Sequence, residues 1–254
     1  MHSDPHFIPF EEKELIDDLP STLHEAFDSP PHPLCIKAAE QVQDILRANE
    51  SYRAFFKRRS EIEERGKMFG VLVVRSSQGT LGYLAAGSGK WDGSSSHPGF
   101  VPPIFDGDHE DGFLTKGMNH LKVLSERITE LQSLDVAHSE LESLKVQRAR
   151  YSKDLQHQLF SSYSLMDRNG KEKNLLEIFE LKGLNTPPAA AGECAAPKLL
   201  DYAFRHGMSP LFLSEFWWGA SRVTDTEHLI HGNFYPPCED RCRPILEFML
   251  GRAI

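Results

Sequence analysis

The chain contains no run of about 18 apolar residues, which excludes a membrane-crossing helix on sequence grounds. Cysteine is scarce. Its four copies, Cys35, Cys194, Cys238 and Cys242, are spread over 254 residues and lack the density of a disulfide-stapled domain. Positive charge is also short: 28 lysines and arginines face 37 aspartates and glutamates, for a formal charge of −9. A protein that grips nucleic acid through its phosphates usually offers a basic face. Here the first fifty residues are strongly acidic, opposed only by Lys13, Lys37 and Arg47. The opening stretch MHSDPHFIPFEEKELIDDLP lacks a basic segment followed by an apolar core, so no secretory leader is expected and a cytoplasmic chain is.

What is present is the balance of an ordinary globular protein, 40% hydrophobic and 26% charged, long enough for one large domain or two small ones. Residues 1–31 are rich in Pro, Asp and Glu and predict an extended acidic arm. In PHPLCIKAAEQVQDILRA, Leu34, Ala38, Val42, Ile45 and Leu46 recur at helical spacing, with Cys35 as a small buried side chain in the first turn. GKMFGVLVVRSSQGTLGYLAAGSGKW predicts a β-hairpin: a branched and aromatic strand over 68–75, a turn, and a return strand over 80–86. These elements assign 32–113 to one part of the core. Residues 114–160 predict a helical, coiled-coil-like arm, with Leu121, Leu124, Ile128 and Leu131 on one stripe and Leu141, Leu144, Tyr151 and Leu155 on a second. Residues 161–254 complete the core through a short strand pair at YSLMDRNGKEKNL, a helix at 175–181 and Cys-bearing helices. The whole predicts an α+β fold with a small mixed sheet and flanking helices.

Two binding patterns fail on spacing. AAGSGKW has Leu84 where a phosphate loop needs its first glycine and Trp91 where it needs a hydroxyl. DGDHED has Asp111 where a calcium loop needs its turn glycine. The basic runs Lys57-Arg58-Arg59 and 148–153 fit solvated helix faces.

The chemistry-bearing residues gather near the C-terminus. In AGECAAPKLLDYAFRHG, Pro197 suits a first helical turn, which places Cys194 at a helix N-terminus where the helix dipole favours a thiolate. Gly207 suits the end of that helix. In FYPPCEDRCRPILEFML, Cys238 and Cys242 are four apart, the spacing of one helix face. Three thiolates from Cys194, Cys238 and Cys242 match zinc, with water or a histidine (His206, His228 or His231) as fourth ligand. The competing reading is three buried structural cysteines without metal.

The order hairpin, Cys-bearing helix, strand, Pro-Pro-Cys-bearing helix resembles the zinc-dependent nucleoside deaminase fold. That family places a glutamate two residues after its first ligand to shuttle protons, and a Pro-Cys-x2-Cys on the next helix. Cys194 matches the first ligand, and Pro237 with Cys238 matches the second motif. Ala196 stands where the glutamate belongs, and Cys242 falls one residue late. The resemblance therefore implies a scaffold that has kept its form and lost that chemistry.

A second resemblance is closer. HPLCIKAAEQVQ, GKMFGVLVVRSSQGTLGYLAAGSGKW, GFVPPIFD, AGECAAPKLLDYAFRHG, EFWWG and FYPPCEDRCRPILEFML, in that order, resemble the N-terminal extension of a bacterial group of RluA-like RNA pseudouridine synthases. It implies work on uridine in tRNA or ribosomal RNA. The family's catalytic Arg-Leu-Asp does not occur; Asp135 follows Ser-Leu and does not qualify. The expectation is a non-catalytic module that positions structured RNA or contacts a synthase catalytic domain, encoded downstream or supplied in trans. Lys198, Trp217 and Trp218 are its candidate contact residues. Two alternatives stand beside it: a divergent zinc-dependent, deaminase-like hydrolase, and an interaction protein acting, or self-associating, through the arm.

Overall fold

A computed structural model describes residues 4–11, 19–20, 23, 30–56, 65–133, 138–223 and 228–251. The centre is a sheet of five strands in the order β1-β3-β2-β6-β9. These are β1 (Ile8–Pro9), β2 (Gly66–Arg75), β3 (Leu81–Gly87), β6 (Ser209–Gly219) and β9 (Phe234–Tyr235). The hairpin forms as expected, with Val71 opposite Ala85 and Val73 opposite Tyr83. The expected mixed sheet is corrected: every pairing is antiparallel. The reason is topological. The long connection from β3 to β6 carries the chain past β2, so the two strands it joins run parallel but never touch.

β2 and β3 are apolar at nearly every position because both of their faces are covered. Val71, Val73, Tyr83 and Ala85 face α1 (Pro33–Ala48). Leu72, Val74, Leu84 and Ala86 face α6 (Ala195–Arg205), α5 (Leu175–Leu181) and α7 (Arg243–Met249). The molecule is thus a helix–sheet–helix sandwich with one apolar core on each side of the sheet. The α1 stripe buries Leu34, Cys35, Ala38, Ala39, Val42 and Leu46. Ile45, expected on that stripe, is 37% exposed, because the buried face runs along the 35–39–42–46 side of the helix. A further short helix, α2 (Glu50–Phe56), sets Tyr52 edge-on against Trp91, with ring centroids 4.6 Å apart.

The described part of the acidic N-terminal arm lies against the core. Ile8 and Pro9 pair with Tyr83 and Gly82 at the edge of the sheet, and the Tyr202 hydroxyl donates to the Asp4 carboxylate at 3.0 Å. The rest of that arm lies mostly outside the described residues, as do Lys57-Arg58-Arg59 and Asp135.

The 114–160 segment is a helical hairpin, α3 (Phe113–Ser133) and α4 (His138–Ser162). Leu121, Leu124, Leu131 and Leu155 are buried along its seam. Gly117 allows the close approach: a Cβ there would lie 2.5 Å from Leu155 Cδ1. Arg148 Nε donates across the seam to Ser125 Oγ at 2.7 Å. Phe160, at the end of α4, enters the α6-side core. The strand pair β4 (Leu165–Met166) and β5 (Glu172–Lys173) closes around the Asn169-Gly170 turn as expected. A small hairpin, β7 (Arg222–Val223) and β8 (His228–Leu229), follows β6. Among the described residues, no helix is long and apolar enough to cross a membrane.

Candidate metal centre

Cys194 is the N-cap of α6, in extended conformation, and its side chain makes no capping hydrogen bond. The thiol is therefore free to turn away from its own helix. α6 starts where it does because Pro197, in its first turn, has no N–H to leave unpaired. One orphan donor of that turn is met from outside: the Ala196 N–H donates to Glu215 Oε1 of β6 at 3.1 Å. Glu215 is opposite Gly70 in the sheet. A Cβ at Gly70 would come within 2.9 Å of Ala195 Cβ and 3.0 Å of Leu199 Cδ1, so glycine there sets how closely α6 lies on β2.

The second half of the site corrects a sequence expectation. Cys238 and Cys242 do not share a helix face. α7 begins at Arg243, with Cys242 as its N-cap and Pro244 in its first turn. Cys238 lies one turn earlier, in a loop closed by two hydrogen bonds to its carbonyl, from the Cys242 N–H (3.2 Å) and the Arg243 N–H (3.1 Å). That turn reproduces the convergence the helix was expected to give. The Cys238 and Cys242 sulfurs are 3.3 Å apart. With Cys194 they form a group whose sulfurs all lie within 4.8 Å of one another. Cys238 is exposed, Cys194 half-buried and Cys242 buried. A tetrahedral zinc with Zn–S bonds of about 2.3 Å sets its sulfurs about 3.8 Å apart. The Cys238–Cys242 separation of 3.3 Å is shorter than that value, and the 4.8 Å limit on the group is compatible with it.

No histidine joins this group among the described residues. His231 Nδ1 instead lies 3.1 Å from the Gly219 N–H, and its ring packs on Trp218 with centroids 4.3 Å apart. His228 is in β8, across from Val223. His206 stacks on Tyr202. Sequence reasoning offered each as a fourth ligand; the first is engaged at the end of β6, the second in the small hairpin, and the third at the far end of α6.

The three thiols share their protons unequally. Hydrogen bonding with Cys194 and Cys242 holds the Cys238 thiol far below the ordinary range. Hydrogen bonding with Cys238 raises Cys194, and hydrogen bonding with Cys194 raises Cys242. A cation bound by all three sulfurs would displace their protons.

Around it sits a set of buried polar groups that sequence reasoning did not assemble. Glu215 is 4% exposed, and burial pushes its carboxyl up to about 7, against the lowering effect of the Ala196 N–H. Lys198, one turn along α6, is 2% exposed. Its Nζ donates to the Gly87 carbonyl at 3.2 Å and lies 3.9 Å from Glu193 Oε2; burial lowers its pKa. Glu193 also accepts a hydrogen bond from the Tyr163 hydroxyl, and its carbonyl accepts from the Gly89 N–H at 2.8 Å. Gly192, at φ 86°, permits this approach: a Cβ there would lie 2.8 Å from the Tyr163 ring. The signal for Glu215 was present in PLFLSEFWWG, a lone carboxylate in an apolar strand, which must find a partner when buried.

The contact residues expected for RNA or a partner fall inside the protein. Lys198, Trp217 and Trp218 are 2%, 9% and 6% exposed. The Trp217 indole N–H donates to the Ala220 carbonyl at 2.7 Å, and Trp218 lies under the Arg47 guanidinium. Large aromatics and a lysine stem here fill the interior rather than present a surface. In comparisons with known proteins, no family model, no curated protein and no solved structure matches the chain.

Proposed function

We propose that this chain holds one zinc ion through Cys194, Cys238 and Cys242 and serves as a non-catalytic, RNA-positioning module of an RluA-like pseudouridine synthase. The observation that carries the zinc half is the meeting of three thiols from two separate chain segments within 4.8 Å. The ion would clamp the start of α6 to the turn before α7, and water or a group from a partner would complete its shell. α6 has Ala196 where the deaminase-like scaffold needs its proton-shuttling glutamate, which favours a structural role for the metal. The element order β2–β3, α6, β6, α7 supports that deaminase-like scaffold.

The RNA half rests on the resemblance to the synthase extension. Its segments are the ones that build α1, the hairpin, α6, β6 and α7, so the resemblance and the core coincide. Because Lys198, Trp217 and Trp218 are interior, RNA contact falls to exposed basic side chains such as Arg148, Arg150 and Lys153 on α4. The test is a filter-binding titration with tRNA and ribosomal RNA across salt, with and without a synthase catalytic domain. Binding that weakens as salt rises, and that drops when the three α4 cations become glutamate, is expected. No binding at low salt in either arrangement overturns the RNA half.

One observation favours the hydrolase as a second reading. Glu215 brings a carboxyl to the backbone of Ala196, so the group missing from α6 stands on the neighbouring strand. On that reading, zinc-loaded protein hydrolyses an amino group from a nucleoside or base and Glu215→Gln abolishes it. Zinc-loaded protein inert on cytidine- and adenosine-type substrates overturns it.

A further inference from the structure

The three thiols differ in access, and the difference has its own chemistry. Cys238 is exposed on the turn, while Cys242 is buried beneath it and only 3.3 Å away, sulfur to sulfur. Cys194 is half-buried and fixed at the start of the long core helix α6. The fourth cysteine, Cys35, is fully buried among the α1 core residues and cannot compete for a reagent in solution. One accessible sulfur backed by a second, inaccessible sulfur is the arrangement in which a first oxidation is captured as a disulfide.

We propose that Cys238 and Cys242 form a reversible disulfide on exposure to a hydroperoxide, Cys238 reacting first and Cys242 resolving it. The Cys238 sulfur attacks the peroxide, forming an S–O bond as the O–O bond breaks. This gives a sulfenic acid and, with hydrogen peroxide, one water. The Cys242 sulfur then attacks the Cys238 sulfur, forming the S–S bond as the S–O bond breaks, and its proton leaves with the hydroxyl as a second water. Two thiols lose two electrons in total, and the peroxide gains them. A bond of about 2.05 Å requires the sulfurs to close by about 1.3 Å. The closure falls on the exposed 238–241 turn, outside α7 and the sheet.

The disulfide itself needs no metal. Its consequence for a metal rests on the zinc reading above: the oxidised pair removes two of three ligands, so oxidation and zinc binding exclude each other, and zinc shields the pair.

The test uses the full chain, zinc-loaded and chelator-treated, titrated with hydrogen peroxide and mapped by non-reducing peptide mass spectrometry. In metal-free protein, a single cross-link between the Cys238 and Cys242 peptides is expected, reversed by dithiothreitol. It persists in Cys194→Ser and disappears in Cys238→Ser, whose fold is checked by circular dichroism because the side chain is exposed. Zinc-loaded protein is expected to cross-link severalfold more slowly and to release one zinc per cross-link. A Cys238 carried on to sulfinic or sulfonic acid without cross-link, or a cross-link that prefers Cys194, overturns the inference. The cross-link forming in a protein that takes up no zinc leaves the inference standing and removes the zinc reading. Bound zinc without any cross-link does the reverse.

Discussion

The two faces of the central sheet carry the same apolar strands and opposite chemistry. On the α1 face, Cys35 is fully buried and its thiol is pushed up to about 12 by burial, outweighing its hydrogen bonds to Ser214 and Val73. In the same core are Phe69, Trp91, Phe100 and Phe216, ring against ring, with no buried acid or lysine among the described residues. On the α6 face, Glu215 and Lys198 are equally buried, and three thiols meet at the edge of the core. The difference traces to how the covering helices approach. α1 starts against Phe212 of β6, and its own N-cap, His32, accepts from the Leu34 N–H at 3.2 Å. α6 begins over the sheet, at Gly70, so its unpaired N–H groups need an acceptor inside the protein and its cap residue faces a neighbouring turn. A helix that starts in the interior brings polarity with it.

Substitutions sharpen this contrast. The largest effect is expected on the closed face: Phe69→Ala, at a position with no exposure and ring contacts to Trp91, Phe100 and Phe216, should cost about 3–5 kcal/mol in chemical denaturation. It should leave the reactivity of Cys238 in the remaining folded protein unchanged. A loss below 1 kcal/mol would mean that the aromatic cluster is loosely packed. Gly70→Val should follow, at about 1–3 kcal/mol from overpacking against Ala195 and Leu199. Unlike Phe69→Ala, it should also weaken metal uptake, since it lifts the start of α6; unchanged uptake would detach the site from the helix position.

Glu215→Ala should cost about 1–3 kcal/mol by leaving the buried Ala196 N–H without an acceptor, with Glu215→Gln recovering most of it. Equal losses in both variants would place the effect in the charge instead. The smallest effect on stability, and the clearest on chemistry, is thiol labelling of the native, metal-free chain at pH 8. Cys238 should react within minutes and Cys35 only on unfolding, because burial keeps its thiol protonated well above that pH. Labelling of Cys35 at a comparable rate would show the α1 face to be open.

Much of this architecture was legible. The hairpin followed from branched residues around a Ser-Ser-Gln-Gly turn, and α6 from Pro197 near its start and Gly207 past its end. The helical pair followed from its leucine spacing. The three cysteines could be nominated from their places at or near helix starts. What was not legible depends on tertiary context. β1 and β9 have two residues each, too short for any periodicity, and exist because edges of the sheet accept them. The antiparallel pairing of β6 with β2 depends on which strand the long connection passes. Four-residue spacing alone puts Cys238 on a helix, yet Pro244 holds the contrary signal: a proline tolerated in the first turn fixes the helix start at Arg243. Trp217 and Trp218 are interior because β6 lies second from the edge, with α1 over Trp218, and Lys198 because it is on the buried side of α6.

Three sulfurs that meet at the start of α6 either hold a metal or do not. Elemental analysis of the full chain, purified without chelator, beside a Cys194→Ser/Cys238→Ser double variant, addresses this directly. About one zinc per wild-type chain and essentially none in the variant is the expected result. A wild-type chain that stays metal-free after equilibration with excess zinc, its three thiols fully titratable, would contradict it.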